Sequence, residues 1–258
     1  MIFETHAHYD DESFDGDREE VISSLPFCGI KKVINVASSL ESCKSTLELA
    51  EQHDFVYAAV GVHPSDIADL NEERYDWLSE QAEKKKVVAV GEIGLDYYWD
   101  KEEKVQERQR YWFRRQLALA EQKNLPVIIH SRDAAQDTMQ ILKELEQKQG
   151  RGVIHCYSYS PEMAKEYIKM GYYIGVGGVV TFKNARKLKE TVEQVPLERI
   201  LLETDCPYMA PEPNRGKRND SSNLSYVVAM IAGLKNTTIE EVEAVTWKNA
   251  MQLFKMHA

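Results

Sequence analysis

Short apolar, mostly β-branched runs alternate along this chain with stretches of helical period, and that alternation constrains the fold more than any other feature. The runs fall at residues 2–5, 32–36, 56–60, 87–91, 127–130, 153–155, 173–176 and 200–203. Between and after them, apolar residues at helical spacing predict helices over 18–25, 40–53, 72–85, 106–123, 134–147, 161–170, 185–195, 223–234 and 238–256. Asn124-Leu125-Pro126 and Gln149-Gly150-Arg151-Gly152 carry the Gly and Pro that stop a helix before the next strand. Repeated βα units call for a parallel sheet, and about eight of them is the number that closes a TIM-type (β/α)₈ barrel. No Pro/Gly/Ser-rich linker, low-complexity tract or shift in composition divides the chain, so residues 1–258 are expected to form one domain.

Composition narrows the class. Hydrophobic residues make up 43% of 258, enough for a substantial core. The four cysteines, Cys28, Cys43, Cys156 and Cys206, have no Cys-x-x-Cys spacing and no paired framework, which points to reduced thiols in the cytoplasm. No signal peptide or membrane span is expected, because no basic segment leads into a long apolar stretch and no 18-residue apolar run occurs. A net charge of -10 argues against broad electrostatic attraction to nucleic acid, so a polyanionic substrate would need metal ions and a local patch.

The strand ends carry the chemistry. His6 and His8 sit at i and i+2, on one face of a strand, so both imidazoles can reach one ion. Glu92, His130, His155 and Asp205 each follow an apolar run, at the ends of strands four, five, six and eight. In a (β/α)₈ barrel these ends share one rim, where active sites gather. Six N/O donors exceed a tetrahedral site that keeps an open position but suit two divalent ions sharing a carboxylate. The expected arrangement has His6, His8 and Asp205 on the first ion, His130 and His155 on the second, and Glu92 on both. Without thiolates the set fits Zn²⁺, Mn²⁺, Co²⁺, Ni²⁺ or, less well, Mg²⁺.

Seven segments together resemble the TatD family of metal-dependent hydrolases within the amidohydrolase superfamily, and the match spans nearly the whole chain. They are the start Met-Ile-Phe-Glu-Thr-His6-Ala-His8, Gly61-Val62-His63-Pro64, Gly91-Glu92-Ile93-Gly94-Leu95-Asp96-Tyr97, Pro126-Val127-Ile128-Ile129-His130-Ser131-Arg132, His155-Cys156-Tyr157-Ser158, Glu203-Thr204-Asp205-Cys206-Pro207-Tyr208 and Arg215-Gly216-Lys217-Arg218-Asn219. The resemblance implies a barrel, a di-metal site at the matching positions and deoxyribonuclease activity, described for the family as 3′-to-5′ exonucleolytic. Two positions depart from the family pattern: Tyr159 stands where Gly is usual, and Asp220-Ser221 replaces a frequent acidic-Pro pair. Both bear on substrate shape rather than on metal ligation.

Phosphodiester hydrolysis at such a site needs an activated water and relief of charge on phosphate. Asp205 is the candidate general base, with pure ligation as its alternative role. His63 is expected to touch phosphate or to orient a ligand, or simply to pack before Pro64. Arg132 and the Arg215, Lys217 and Arg218 loop are candidate phosphate clamps, though charge runs are often solvated faces. Tyr97-Tyr98-Trp99 would either stack on bases of single-stranded DNA or pack over the rim. Strand alternation points Cys156 and Cys206 away from the ligands into the core, and His53 and His257 read as bystanders. DNA is the only partner expected. Two rival readings remain: a di-metal hydrolase of an amide or ester, such as a deacylase, and a non-catalytic scaffold.

Overall fold

A computed structural model describes residues 1–144 and 152–256 of the chain. Eight strands, β1 (Ile2–Ala7), β2 (Ile30–Val36), β3 (Val56–Val60), β4 (Val87–Asp96), β5 (Val127–Arg132), β6 (Gly152–Ile154), β7 (Tyr173–Val176) and β8 (Ile200–Leu202), pair in parallel in chain order. The sheet curls into a nearly closed barrel, the TIM fold that the βα alternation predicts. The seam between β1 and β8 is sealed just past β8, where Asp205 N–H donates to the His6 carbonyl at 3.0 Å and His8 N–H to the Cys206 carbonyl at 2.8 Å.

Among the described residues, α1 (Arg18–Ser24), α2 (Leu40–Gln52), α3 (Glu72–Gln81), α4 (Glu103–Lys123), α5 (Ala135–Glu144), α6 (Pro161–Lys169), α7 (Arg186–Gln194) and α8 (Leu224–Lys235) accompany the strands. A last helix, α9 (Ile239–Leu253), packs against β1 and β8. Its Ala250 and Leu253, with Phe254, join Phe3, Ile34, Ile128, Val153 and Leu201 in an inner core that draws on every strand of the barrel. Side chains of the opposite strand parity, such as Val33, Val90 and Ile154, pack in the larger cluster shared with the helices. No helix is long and apolar enough to cross a membrane among the described residues.

The expected element positions hold, with shifts at the ends. The helix expected over 72–85 stops at Gln81, where three-residue turn bonds from the Glu83 and Lys84 N–H groups to the Glu80 and Gln81 carbonyls replace helical ones, and Lys86 then donates to the carbonyls of His53, Asp54 and Val56 at the start of β4. Strand β4 runs five residues past the expected end at 91. Gly94 allows this, since at φ +151° any Cβ there would collide with the His130 carbonyl on β5. Positions 145–147 of the expected fifth helix, 149–151 of the expected turn, and His257 lie outside the described residues.

Candidate metal centre

Register irregularities decide which side chains enter the barrel mouth. Ala89 belongs to the inner core and Val90 to the outer one, so strict alternation would send Glu92 outward with Val90. A register shift against β5 between Val90 and Ile93 resets the phase, and a second shift on β1 between Glu4 and Ala7 does the same for His6. At the ends of β6 and β8 the chain turns instead: Cys156 and Asp205 have φ of 44° and 59°. Asp tolerates that left-handed conformation better than most residues.

The six ligand candidates converge. His6 and His8 bring their Nε2 atoms to 3.0 Å from each other. Asp205 Oδ1 lies 3.8 Å from His6 Nε2, 3.3 Å from His8 Nε2 and 3.6 Å from His155 Nε2. Glu92 stands between two groups, with Oε2 3.5 Å from His6 Nε2 and Oε1 2.8 Å from His130 Nδ1 and 3.8 Å from His155 Nε2. The rings of His6 and His155 stack at 3.5 Å.

The donor set fits divalent ions. Tetrahedral bonds of about 2.0–2.1 Å put neighbouring ligand atoms about 3.3 Å apart, close to the spacings found. The outward nitrogens are already committed. His8 Nδ1 faces only the Val36 carbonyl oxygen at 2.7 Å and must donate to it, and His130 Nε2 donates to Asp96 Oδ2 at 3.0 Å. Their inward nitrogens are then lone pairs aimed at carboxylate oxygens, an arrangement that calls for a proton or a metal cation between them. His6, His8 and Asp205 form one group able to hold an ion; Glu92 and His130 stand together in a second, with His63 beside them, and His155 groups with His6 and Glu203 or with Cys156 and Asp205 rather than with His130, its expected partner on the second ion.

Electrostatics give the same picture. Burial opposes the charge on His8, but the Asp205 hydrogen bond and the acids around it push its pKa up to about 9. Burial likewise opposes charge on His130 and His155, and the carboxylates outweigh it, so both are raised. His6 is lowered, by burial and by His155 beside it. Burial works to raise the carboxyls of Glu92 and Asp205, yet the surrounding imidazoles hold both well below the usual range. Without metal, the acids hold positive charge in the site as protons.

Four further residues, unassigned from sequence, complete the surroundings. Asp96 orients His130 through one oxygen and accepts the Tyr98 and Trp99 N–H groups with the other. Its place at i+4 from Glu92 on one strand was a usable signal. Glu203 puts Oε2 3.2 Å from His155 Nδ1 and accepts the Cys156 N–H at 2.6 Å. It fits only because Gly175 on β7 has no side chain: a Cβ there would overlap the carboxylate, 2.6 Å from its Cδ. Glu4 closes the seam, accepting the N–H groups of His6 and Thr204, both at 3.0 Å, and burial pushes its carboxyl up to about 7. Asp10 accepts from Asn35 and Ser42 at the cavity edge.

The site opens into a cavity of about 740 Å³ that His63 and Arg132 also line. His63 Nδ1 accepts the Ser65 N–H, so its proton sits on Nε2. Burial and the neighbouring His130 lower its pKa to about 4. Arg215, Lys217 and Arg218 are exposed and do not line this cavity. Arg218 is held by both oxygens of Asp17 and by the Ser13 carbonyl, and Arg215 lies over the Phe182 ring. Tyr97 is likewise occupied, its hydroxyl donating to Asp137. The alternation argument holds for the buried Cys206 but fails for Cys156, which lines the cavity because β6 has already ended. Tyr159 hydrogen-bonds Ser131 through its hydroxyl at 2.9 Å, bracing the end of β5. His53 ends α2, 3.3 Å from Glu19.

A parallel barrel whose rim gathers histidines and carboxylates in groups able to hold metal is an architecture that suits a metal-dependent hydrolase. Residues 3–255 match the family described as TatD related DNase. A Bacillus subtilis protein named as an uncharacterized metal-dependent hydrolase, YabD, is 46% identical over 257 residues, covering 100% of both chains. The uncharacterized metal-dependent hydrolase YcfH of Escherichia coli K12 is 36% identical over 264 residues, covering 100% of this chain and 97% of its own. Among solved structures, the TatD homolog YjjV of Escherichia coli K12 superposes with a TM-score of 0.93 at 34% identity, covering 99% of this chain and 98% of that one. The chain belongs to the TatD family.

Proposed function

We propose that the protein is a two-metal deoxyribonuclease that removes nucleotides from the 3′ end of single-stranded DNA. The observation that carries this reading is the convergence of four imidazoles and two carboxylates beside Arg132, in a cavity open to solvent. The family match and the relatives' names as metal-dependent hydrolases support it. His6, His8 and Asp205 would hold one ion, His130 and His155 the other, with Glu92 reaching both. Bound divalent ions activate water near neutral pH and offset charge on the phosphate.

The chain supplies the rest. Asp205 accepts the proton of the attacking water, and with a side chain 18% exposed against 5% for Glu92, it is the carboxylate of the pair that can pass that proton to solvent. His63 offers its Nε2–H to a phosphate oxygen, and Arg132 offers an in-plane fork of N–H donors to a second. Asp96 and Glu203 hold His130 and His155 in the ring orientation ligation needs.

The test is cleavage of 5′-labelled single-stranded DNA by protein stripped with chelator and then resupplied with Mn²⁺, Co²⁺ or Mg²⁺. Cleavage should vanish on stripping and return with metal, as a ladder shortening from the 3′ end. Full activity without metal refutes the mechanism, and metal-restored hydrolysis of acyl substrates but not DNA replaces the nuclease with a deacylase.

A further inference from the structure

The cavity wall next to His130 carries a guanidinium set differently from most arginines of the surface. Arg18, Arg110, Arg114, Arg115 and Arg218 each have a carboxylate within 4 Å. Arg132 has none among the described residues, like Arg108, Arg199 and Arg215, but of these four it is the one that lines the cavity, and its guanidinium lies 3.9 Å from the centre of the Tyr98 ring and 5.6 Å from that of Trp99. Stacking uses the face of a guanidinium and leaves its N–H edges free to fork onto an anion. Trp99 lines the same cavity with 68% of its surface exposed. Its ring packs edge-on against Tyr98 at 4.8 Å, and the N–H groups of both residues are fixed by Asp96, the carboxylate that orients His130. An exposed indole anchored through its backbone to a ligand histidine, beside an arginine with no acid partner, is a preorganised shelf for a flat group that carries a phosphate. Val179 and Met209 also line the cavity, and about 740 Å³ is the size of pocket that takes one small molecule rather than a duplex.

We infer that Trp99 and Arg132, propped by Tyr98, form a subsite for the nucleobase and phosphate of a single nucleotide at the bond to be cut. The inference rests on the nuclease reading and deepens it: a base stacks on the indole while the guanidinium takes the phosphate.

The metal-loaded full chain and its Trp99→Ala, Trp99→Phe and Arg132→Ala variants are compared on two single-stranded oligonucleotides. One ends in two thymidines at the 3′ end, the other in two tetrahydrofuran abasic residues. Wild type should prefer the thymidine end in kcat/KM by about 5- to 150-fold, the range for one base–aromatic stack. Trp99→Ala should erase that preference by slowing only the thymidine end, and Trp99→Phe should keep most of it. Arg132→Ala should slow both ends alike, since both carry the phosphate. Equal loss on both ends in Trp99→Ala, or no loss, overturns the subsite while leaving the nuclease intact. Failure of metal-loaded wild type to cut either end removes the nuclease reading and the subsite together.

Discussion

Two charged motifs looked comparable along the chain, and they end in opposite situations. The histidines and acids of the strand ends are drawn from β1, β4, β5 and the segments after β6 and β8 into one cluster, with His6, Glu92 and His155 buried and His8, His130 and Asp205 half-buried at the cavity. The Arg215, Lys217 and Arg218 loop stays exposed, with Arg218 paired to Asp17 and Arg215 resting on Phe182. A strand end in a barrel has few directions in which to point, whereas a loop takes whatever partners its own neighbourhood offers. Proximity to Asp205 in sequence therefore did not bring the loop's cations to the cavity.

The contrast can be broken most forcefully at the cluster itself. Asp205→Asn should lower kcat about 10²- to 10⁴-fold, the range for loss of a positioned proton acceptor. Activity within a few fold of wild type would reduce Asp205 to a spectator. Next in size come the orienting carboxylates: Asp96→Asn and Glu203→Gln should each weaken metal affinity about 10- to 100-fold in titration calorimetry. Unchanged affinity would make them packing groups.

Gly175→Ala tests the same shell from behind, because the new Cβ displaces the Glu203 carboxylate. Overpacking of this kind costs about 1–3 kcal/mol of stability. Metal affinity should fall as well, and pairing the change with Glu203→Asp, which withdraws the carboxylate by one methylene, should recover part of it. No recovery would mean that the added methyl acts on something other than Glu203.

A smaller effect follows from His8. Its pKa in the metal-free fold, about 9, lies above the ordinary value of 6.5, so its contribution to stability is fully present below 6.5 and is lost as pH rises through 9. Thermal unfolding of stripped protein should therefore show Tm falling across that window. Metal binding at neutral pH should release protons, seen as a dependence of the calorimetric heat on buffer ionisation enthalpy. A flat Tm and a buffer-independent heat would contradict the geometry around His8. The smallest effect is expected from Arg215→Ala with Arg218→Ala: metal affinity unchanged, and DNA cleavage reduced less than by Arg132→Ala. A greater loss than Arg132→Ala would show that the loop reaches substrate after all.

The sequence by itself determined the barrel and the identity of the six converging groups. Both rest on short-range regularities: β-branched runs of strand length, helical spacing between them, and a ligand-type residue at the end of each relevant run. Only the tertiary structure decided the shell around them. Glu203 reaches His155 through a space left by Gly175 on a neighbouring strand, and Cys156 reaches the cavity because alternation lapses after Ile154. Glu92 enters the mouth through a register shift that no periodicity in its own segment encodes. Each of these depends on what another strand does at the same height in the barrel, and that information is distributed over segments far apart in the chain.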